Sequence, residues 1–353
     1  MKISNFKTLR DLTGPVLITG HTGFKGTWMT LLLEHIGFNV IGYSLKPEKD
    51  SLFNLAKRTG KIEEVFEDIR DRKKLEKFIK KHKPSLVYHL AAQPLVIDSY
   101  SNPYETFEIN SIGTANILDI ALSIDSIKFI GVVTTDKVYE NKELGNRFKE
   151  SDALAGSDPY SESKVAAEAA VRTWQRISNL ENGPKIVSLR AGNVIGGGDV
   201  SQDRLIPDLI NGFIRQKPVL IRYPSAVRPW QHVLDCLNGY LTLVDKMLNN
   251  KVTGEWNFGP DERSFKDVKT VADYLKNRWG QGASWTTDEK ENPHEAELLA
   301  LDATKAETQL NWHNKLSFEE TLDWTLDWHK AVEAGVNTLE QTQVQINKFG
   351  EMN

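Results

Sequence analysis

Short apolar runs alternate with longer amphipathic segments through the first half of the chain. VLIT at 16–19 is followed by helical spacing over 24–36 and by FNVIGY at 38–43. EEVFEDI leads into a helical segment, RDRKKLEKFIKKHK (70–83), and SLVYHL (85–90) into another over 104–122. The strand IKFIGVVTT (127–135), an alanine-rich helix over 160–176 and the strand KIVSLR (185–190) complete the series. Strands that are apolar throughout and alternate with helices predict a parallel sheet covered on both faces. The expected class is α/β, a Rossmann-type doubly wound sheet.

The texture changes after Arg190. AGNVIGGGDV is glycine-rich, and short helices, strands and proline turns follow it. The predicted organisation is a sheet domain over 1–190 and a smaller mixed α/β domain, from 191–226 and 251–353, over the sheet's carboxyl edge. VRPWQHVLDCLNGYLTLVDKML (227–248) reads as one long buried helix, so 227–250 is expected to return to the first domain.

Composition narrows the function classes. The 353 residues are 40% hydrophobic and 26% charged with a net charge of −4, which argues against a general affinity for nucleic acid or anionic membrane. The basic run at 70–83 is interleaved with acidic and apolar residues and reads as a solvated helix face. Cys236 is the sole cysteine. It excludes an intramolecular disulfide and a zinc site of paired thiolates, no metal is expected, and a reducing compartment suits it. The first residues carry no apolar signal core and no stretch approaches membrane-spanning length, so the expected location is cytoplasmic.

Candidate chemistry begins at VLITGHTGFKG (16–26). Gly20 suits a tight turn out of the strand, Gly23 the close approach of a pyrophosphate, and Gly26 close packing of the next helix on the sheet. The helix amino terminus then offers free N–H groups to phosphates. The second strand ends without the usual ribose-binding acid. Ser44 is placed to donate a weaker hydrogen bond to a ribose, and Lys46 is either a 2′-phosphate partner or a solvated loop residue. The loop leaves NAD and NADP open. Asp68 follows the third strand, where a carboxylate meets an adenine amino group.

Tyr160 and Lys164 in DPYSESK stand four apart on a predicted helix and share a face. An ammonium beside a phenol favours the phenolate, which accepts a sugar hydroxyl's proton while hydride leaves the same carbon. VVTTDKVY ends a strand with Thr134, Thr135, Asp136 and Lys137, at the sheet edge where this architecture builds its sites. By itself that turn reads first as a loop closed by Thr and Asp side chains.

Together these motifs resemble the extended short-chain dehydrogenase/reductase superfamily over residues 14–335. GHTGFKGTW, LAAQPLV, TTDKVYEN, RAGNVIGGGD, DRLIPD, VRPWQHVLD and LDATKA are similar to the CDP-glucose 4,6-dehydratase family within it. The resemblance implies NAD as cofactor, returned unchanged, and CDP-glucose as substrate, converted to CDP-4-keto-6-deoxyglucose and water for deoxysugars of surface polysaccharides such as lipopolysaccharide. It implies that Tyr160 takes the 4-hydroxyl proton with Thr135 sharing the hydrogen bond, and that Asp136 protonates the departing 6-hydroxyl. Lys164 is implied to position the nicotinamide ribose and to lower the tyrosine pKa. Lys137 stands where related dTDP-glucose enzymes carry a glutamate base, and is either a base at C5 or a stabiliser of the enolate.

The cofactor positions implied are Thr22, Phe24 and Lys25 around the pyrophosphate, Asp68 and Ile69 at the adenine, and Leu90, Ala91 and Ala92 along the cofactor. On the substrate side are Gln93 facing the sugar, Asn193 and Arg228 at the phosphates, and Arg204, Leu205, Ile206 and Pro207 along the nucleotide cleft. Ile97-Asp98 departs from the arginine that follows QPLV in many members. A homo-oligomer, dimer or tetramer, is expected through the helices at 104–122 and 160–176. A nucleotide-sugar 4-epimerase shares the Tyr/Lys and Thr elements but needs no acid and base at C5 and C6, so Asp136-Lys137 favours dehydration. A non-catalytic dinucleotide sensor would not need Tyr160 and Lys164.

Overall fold

The computed structural model describes residues 6–249, 252–280, 282–287 and 298–352. Its strands are β1 (Val16–Thr19), β2 (Val40–Ser44), β3 (Glu63–Phe66), β4 (Leu86–His89), β5 (Phe129–Val133) and β6 (Lys185–Ala191), then β7 (Asn193–Ile195), β8 (Val219–Ile221), β9 (Val227–His232), β10 (Trp256–Phe258), β11 (Phe265–Asp267) and β12 (Trp285–Thr287). The helices are α1 (Phe24–His35), α2 (Leu52–Leu55), α3 (Arg72–His82), α4 (Val96–Ser101), α5 (Pro103–Phe107), α6 (Gly113–Leu122), α7 (Pro159–Leu180), α8 (Leu205–Ile214), α9 (Val233–Leu248), α10 (Val268–Trp279), α11 (Phe318–Glu333) and α12 (Thr338–Glu351).

The central sheet has seven strands in the order β10-β6-β5-β4-β1-β2-β3. Each neighbouring pair is parallel. Alternation along the strands divides the core in two. Val16, Ile18, Leu86, Tyr88, Val187 and Leu189 point to the face covered by α1, α9, α11 and α12. Leu17, Val87, Ile130, Val132 and Ile186 point to the face covered by α3, α6 and α7. The strand order reverses between β1 and β4, so the crevice where a doubly wound sheet binds ligands opens at their carboxyl ends. No described helix is long and apolar enough to cross a membrane.

Two segments differ from the sequence expectation. Residues 227–232 are not the first turns of a helix but strand β9, antiparallel to β11 and parallel to β7. Pro229 supplies the reason: it removes an N–H and disfavours helical geometry at Arg228. Helix α9 starts at Val233, where the ring Nδ1 of His232 accepts from the N–H of Leu234. Strand β10, within the range expected for the smaller domain, pairs with β6 and extends the main sheet. Beyond the sheet, β7, β9 and β11 pack with α8, α10 and α11 around Ile206, Leu209, Phe213, Trp230 and Leu322.

The helical segment expected over 104–122 contains a π-turn at Glu108–Ile112. Such turns redirect a side chain out of the helical register. Here Asn110 accepts from the N–H of Gln93 at 2.9 Å and donates to the Gln93 carbonyl at 3.0 Å and to Ser163 Oγ at 2.8 Å. The loop after β4 is thereby tied to α7.

Candidate active site

The glycine loop separates what the chain demands from what a ligand demands. Gly20 has a φ of +76°, and a Cβ there would lie 2.7 Å from the Ala91 nitrogen. A Cβ on Gly26 would lie 2.1 Å from the Gly20 carbonyl oxygen. Both positions need glycine for the fold alone. A Cβ on Gly23 meets nothing closer than the Gly20 oxygen at 3.4 Å. Gly23 is the N-cap of α1, and no side chain caps that helix. The free N–H groups and the open space above Gly23 form a cradle that fits a pyrophosphate.

The flanks of the cradle match the expected positions with one change of role. Thr22 Oγ1 donates to the Leu45 carbonyl at 3.1 Å, and its other bond, to Ser44 Oγ, is 2.7 Å. Thr22 has one hydroxyl proton, so Ser44 donates to Thr22 and keeps its lone pairs. Ser44 therefore offers an acceptor rather than a donor at the end of β2. Leu90, Ala91 and Ala92 are half-buried at the carboxyl end of β4. Ile69 is buried against Gly113, and the Asp68 carboxylate is bound by Arg70 at 2.7 Å. The hydrogen bonds from Arg70 hold Asp68 below the usual carboxylate range against its partial burial. Phe24 packs against the core, and the Lys25 ammonium lies 5.8 Å from the centre of the Tyr240 ring.

Across the crevice, α7 begins with Asp158 accepting from the Ser161 N–H at 2.9 Å and Pro159 in the first turn. That capping box starts the helix one residue before Tyr160 and fixes which face carries it. Tyr160 and Lys164 are both buried, and the Lys164 ammonium donates to the Val133 carbonyl at 3.3 Å. After β5, Thr135 caps the short turn Asp136–Val138: its hydroxyl accepts from the Lys137 N–H at 3.3 Å and donates to Asp136 Oδ1 at 2.9 Å. Asp136 is 1% exposed, and its second carboxylate oxygen has no partner among the described residues. The Lys137 ammonium is 4.0 Å from Asp136 Oδ1.

Burial sets the proton affinities here. It pushes the Tyr160 phenol up to about 12, opposed by its hydrogen bond with Thr135, whose own proton goes to Asp136, and by the charge of Arg204. It pulls Lys164 down to about 8, assisted by the charge of Lys25 and resisted by that of Glu168. Desolvation is the largest influence on the tyrosine, and Arg204 is the cation that opposes it. A buried phenol and a buried ammonium with shifted pKa values in one crevice mark a site for proton transfer.

The substrate-side residues fall on β7, β9 and the start of α8. Asn193 is half-buried on β7, and Arg228 on β9 is buried, donating to the Val227 carbonyl at 2.7 Å. Arg204 precedes α8 and pairs with Asp199 at 3.1 Å; Leu205, Ile206 and Pro207 form the first turn. Gln93, expected to face the sugar, has its amide engaged within the protein. Its amide donates to the Leu95 carbonyl at 3.1 Å and to Thr106 Oγ1 at 3.0 Å, and its oxygen accepts from the Leu95 N–H. It braces the loop after β4.

Sequence reasoning missed several participants. His21, within the glycine loop, is fully buried and hydrogen-bonded to Glu64 at 2.8 Å. Ser99 Oγ accepts from the Tyr160 N–H at 3.1 Å. Glu168 and Arg190 form a buried pair at 2.7 Å directly behind the catalytic turn. The last pair left a trace in the sequence: a carboxylate one turn after Lys164, and an arginine ending an apolar strand.

A family model described as GDP-mannose 4,6 dehydratase matches residues 17–325. A CDP-glucose 4,6-dehydratase from Salmonella typhimurium (strain LT2) is 41% identical over 342 residues, 95% of this chain and 95% of its own length. Among solved structures, a dTDP-glucose 4,6-dehydratase from Bacillus anthracis in complex with NAD superposes with a TM-score of 0.73 at 23% identity, over 93% of this chain and 100% of that one. A UDP-glucuronic acid 4-epimerase from Bacillus cereus, in complex with UDP-glucuronic acid and NAD, gives 0.77 at 22% identity, over 90% of this chain and 99% of that one. At these identities the two structures speak to the fold.

Proposed function

The chain belongs to the GDP-mannose 4,6 dehydratase family, and from that membership we propose that it removes water from CDP-glucose to give CDP-4-keto-6-deoxyglucose. The observation that carries dehydration over epimerisation is Asp136. A 4-epimerase needs no acid at C6, whereas this carboxylate is buried, joined to Tyr160 through Thr135, and has an oxygen without a partner among the described residues.

NAD fits the cradle above Gly23, between Ser44, Asp68 and Lys164, and when bound it supplies the acceptor for hydride from C4 and its donor to C6. The remaining work belongs to side chains. Tyr160 accepts the 4-hydroxyl proton through the hydrogen bond it shares with Thr135. Loss of that proton from oxygen together with the hydride from carbon turns C4 into a ketone, which acidifies the hydrogen at C5. We assign Lys137 the negative charge that develops on the enolate, since its ammonium already balances Asp136 at 4.0 Å. Its side chain is 35% exposed, so the C5 proton passes to solvent water and one returns to C5 when hydride reaches C6, while the proton taken by Tyr160 relays through Thr135 to Asp136. Asp136 protonates the 6-hydroxyl as it leaves. Lys164 holds the nicotinamide ribose, and Arg228 and Asn193 bind the substrate phosphates, where an arginine's fixed fork suits a diphosphate.

The product would serve deoxysugar synthesis for surface polysaccharides, in the cytoplasm, where the buried lone Cys236 stays reduced. We also propose a homo-oligomer, dimer or tetramer. Tyr100, Tyr104, Ile112 and Ile177 are exposed on α4, α5, the π-turn and α7, a set of apolar residues that a second copy would cover. The test of function is turnover of CDP-, UDP-, dTDP- and GDP-glucose, with and without added NAD, read by product mass. Loss of one water from CDP-glucose with no net NADH is expected; an unchanged mass with an altered sugar would move the assignment to an epimerase.

A further inference from the structure

The catalytic turn is gripped at both ends by a network that the proposed reaction does not itself use. On the upstream side, Thr134 Oγ1 donates to Glu168 Oε1 at 2.7 Å. On the downstream side, Arg190 Nη1 donates to the Tyr139 hydroxyl at 2.7 Å. Glu168 and Arg190 are locked to each other by two hydrogen bonds, Nε to Oε1 at 2.9 Å and Nη2 to Oε2 at 2.7 Å. The Tyr139 hydroxyl continues to Asn257 Oδ1 at 2.7 Å, and Asn257 Nδ2 donates to the Phe148 carbonyl at 2.8 Å. Tyr139 also stacks on Phe148 with ring centres 5.1 Å apart. Both charged groups are essentially out of solvent, Glu168 at 0% and Arg190 at 1% exposure.

The pair also reaches the second half of the site. Glu168 stands one helical turn after Lys164 on α7, and its negative charge favours the ammonium form of Lys164. The other charged or titratable groups facing Lys164 are Lys25 from α1, His89 from β4 and Tyr160 from α7. Lys25 opposes its charge, and burial keeps His89 neutral near neutral pH, with a pKa pulled down to about 3. Glu168 is therefore the one carboxylate among the groups acting on Lys164. A buried ion pair is a poor source of stability, because well-packed apolar residues serve as well or better. Its geometry here, fully bonded and aimed at both the turn and the helix, suits a different role.

We infer that Glu168 and Arg190 are positioning residues for catalysis: they clamp the turn Thr135–Val138 from both ends and supply the counter-charge that keeps Lys164 in its working state. The clamp explains how a turn carrying three reacting side chains is held when the backbone of Asp136–Val138 forms only a single 3₁₀ turn. An error of about 1 Å in such a group costs on the order of a hundredfold in rate.

The inference rests on the dehydratase reading, and its test is chosen to separate the two. Thr134→Val and Tyr139→Phe each cut one end of the clamp and leave the ion pair intact. Each is expected to lower kcat for CDP-glucose about tenfold with KM within about twofold, and Thr134→Ser to restore kcat. Glu168→Gln is expected to move the alkaline fall in NAD affinity down by about one pH unit, because Lys164 loses its supporting charge. The binding readout needs no sugar substrate, so failure of wild-type turnover would count against the dehydratase while the clamp is still judged. Loss of thermal stability with kcat and the pH profile unchanged would make the network structural only and overturn the inference. If Glu168→Gln does not fold, the two end-cutting variants decide it.

Discussion

On the sheet side of the site, Tyr160, Lys164, Thr135 and Asp136 are all between 1% and 8% exposed. On the opposite side, Arg204 keeps 39% of its side chain in solvent and Arg222 keeps 44%, each paired with a nearby aspartate, Asp199 and Asp203. The first group sits in low dielectric, where charges are costly, pKa values move and hydrogen bonds hold fixed geometry. In the second the arginines are partly in water, while Asp203 is half exposed and Asp199 only 6% exposed, so charge is screened unevenly there. The division teaches that the groups proposed for the chemistry sit dry and rigid, whereas the arginines on the facing side keep their side chains partly in solvent. Arg228 is the exception, a cation buried on the substrate side.

The sharpest way to break that contrast is Tyr160→Phe, which deletes the proton acceptor and little volume. Turnover is expected to fall by about a thousandfold or more while CDP-glucose binding, measured by calorimetry, stays within about twofold. Arg228→Gln tests the exception. Removing a charged hydrogen bond costs about 1.5–3 kcal/mol, so KM for CDP-glucose is expected to rise about ten- to a hundredfold with a much smaller change in kcat.

The pH dependence sharpens the dry side. Burial lowers Lys164 to about 8, so its proton is retained below that pH and lost as the pH rises through it. If the charged form is the working one, kcat/KM falls about tenfold per unit above pH 8, and Lys164→Arg, which cannot be deprotonated in this range, abolishes that fall. The smallest expected effect is Asp158→Ala. It removes the N-cap of α7 and lowers stability by about 1 kcal/mol, read by denaturant unfolding, with the chemistry of Tyr160 retained.

The legibility of the chain in its sequence follows the same contrast. The inner strands of the sheet were readable because each is a short apolar run buried on both faces, as at Val16–Thr19 and Leu86–His89, whereas β10, three residues at the sheet edge, was too short to show one. Tyr160 and Lys164 were readable because helical spacing makes them neighbours without any tertiary knowledge. Residues 227–232 were misread because six residues with a proline in a strand carry no clean period, and their pairing partners, β7 and β11, lie far along the chain on either side. The bonds of Gln93 were not readable because its partner, Thr106, belongs to a helix whose approach depends on the π-turn. The pair Glu168–Arg190 joins a helix to a strand, and no periodicity within either element reports a contact between them.

Strand β9 passes into α9 at the bond between His232 and Val233, with no residue between. Arg228 is on the strand, and Leu237, Tyr240 and Leu241 of the helix are in the core beneath the main sheet. The connection is thus a rigid strut rather than a joint. A swing of the substrate side away from the sheet, like a jaw, would have to tear the cap at Leu234 and drag α9 through packed side chains.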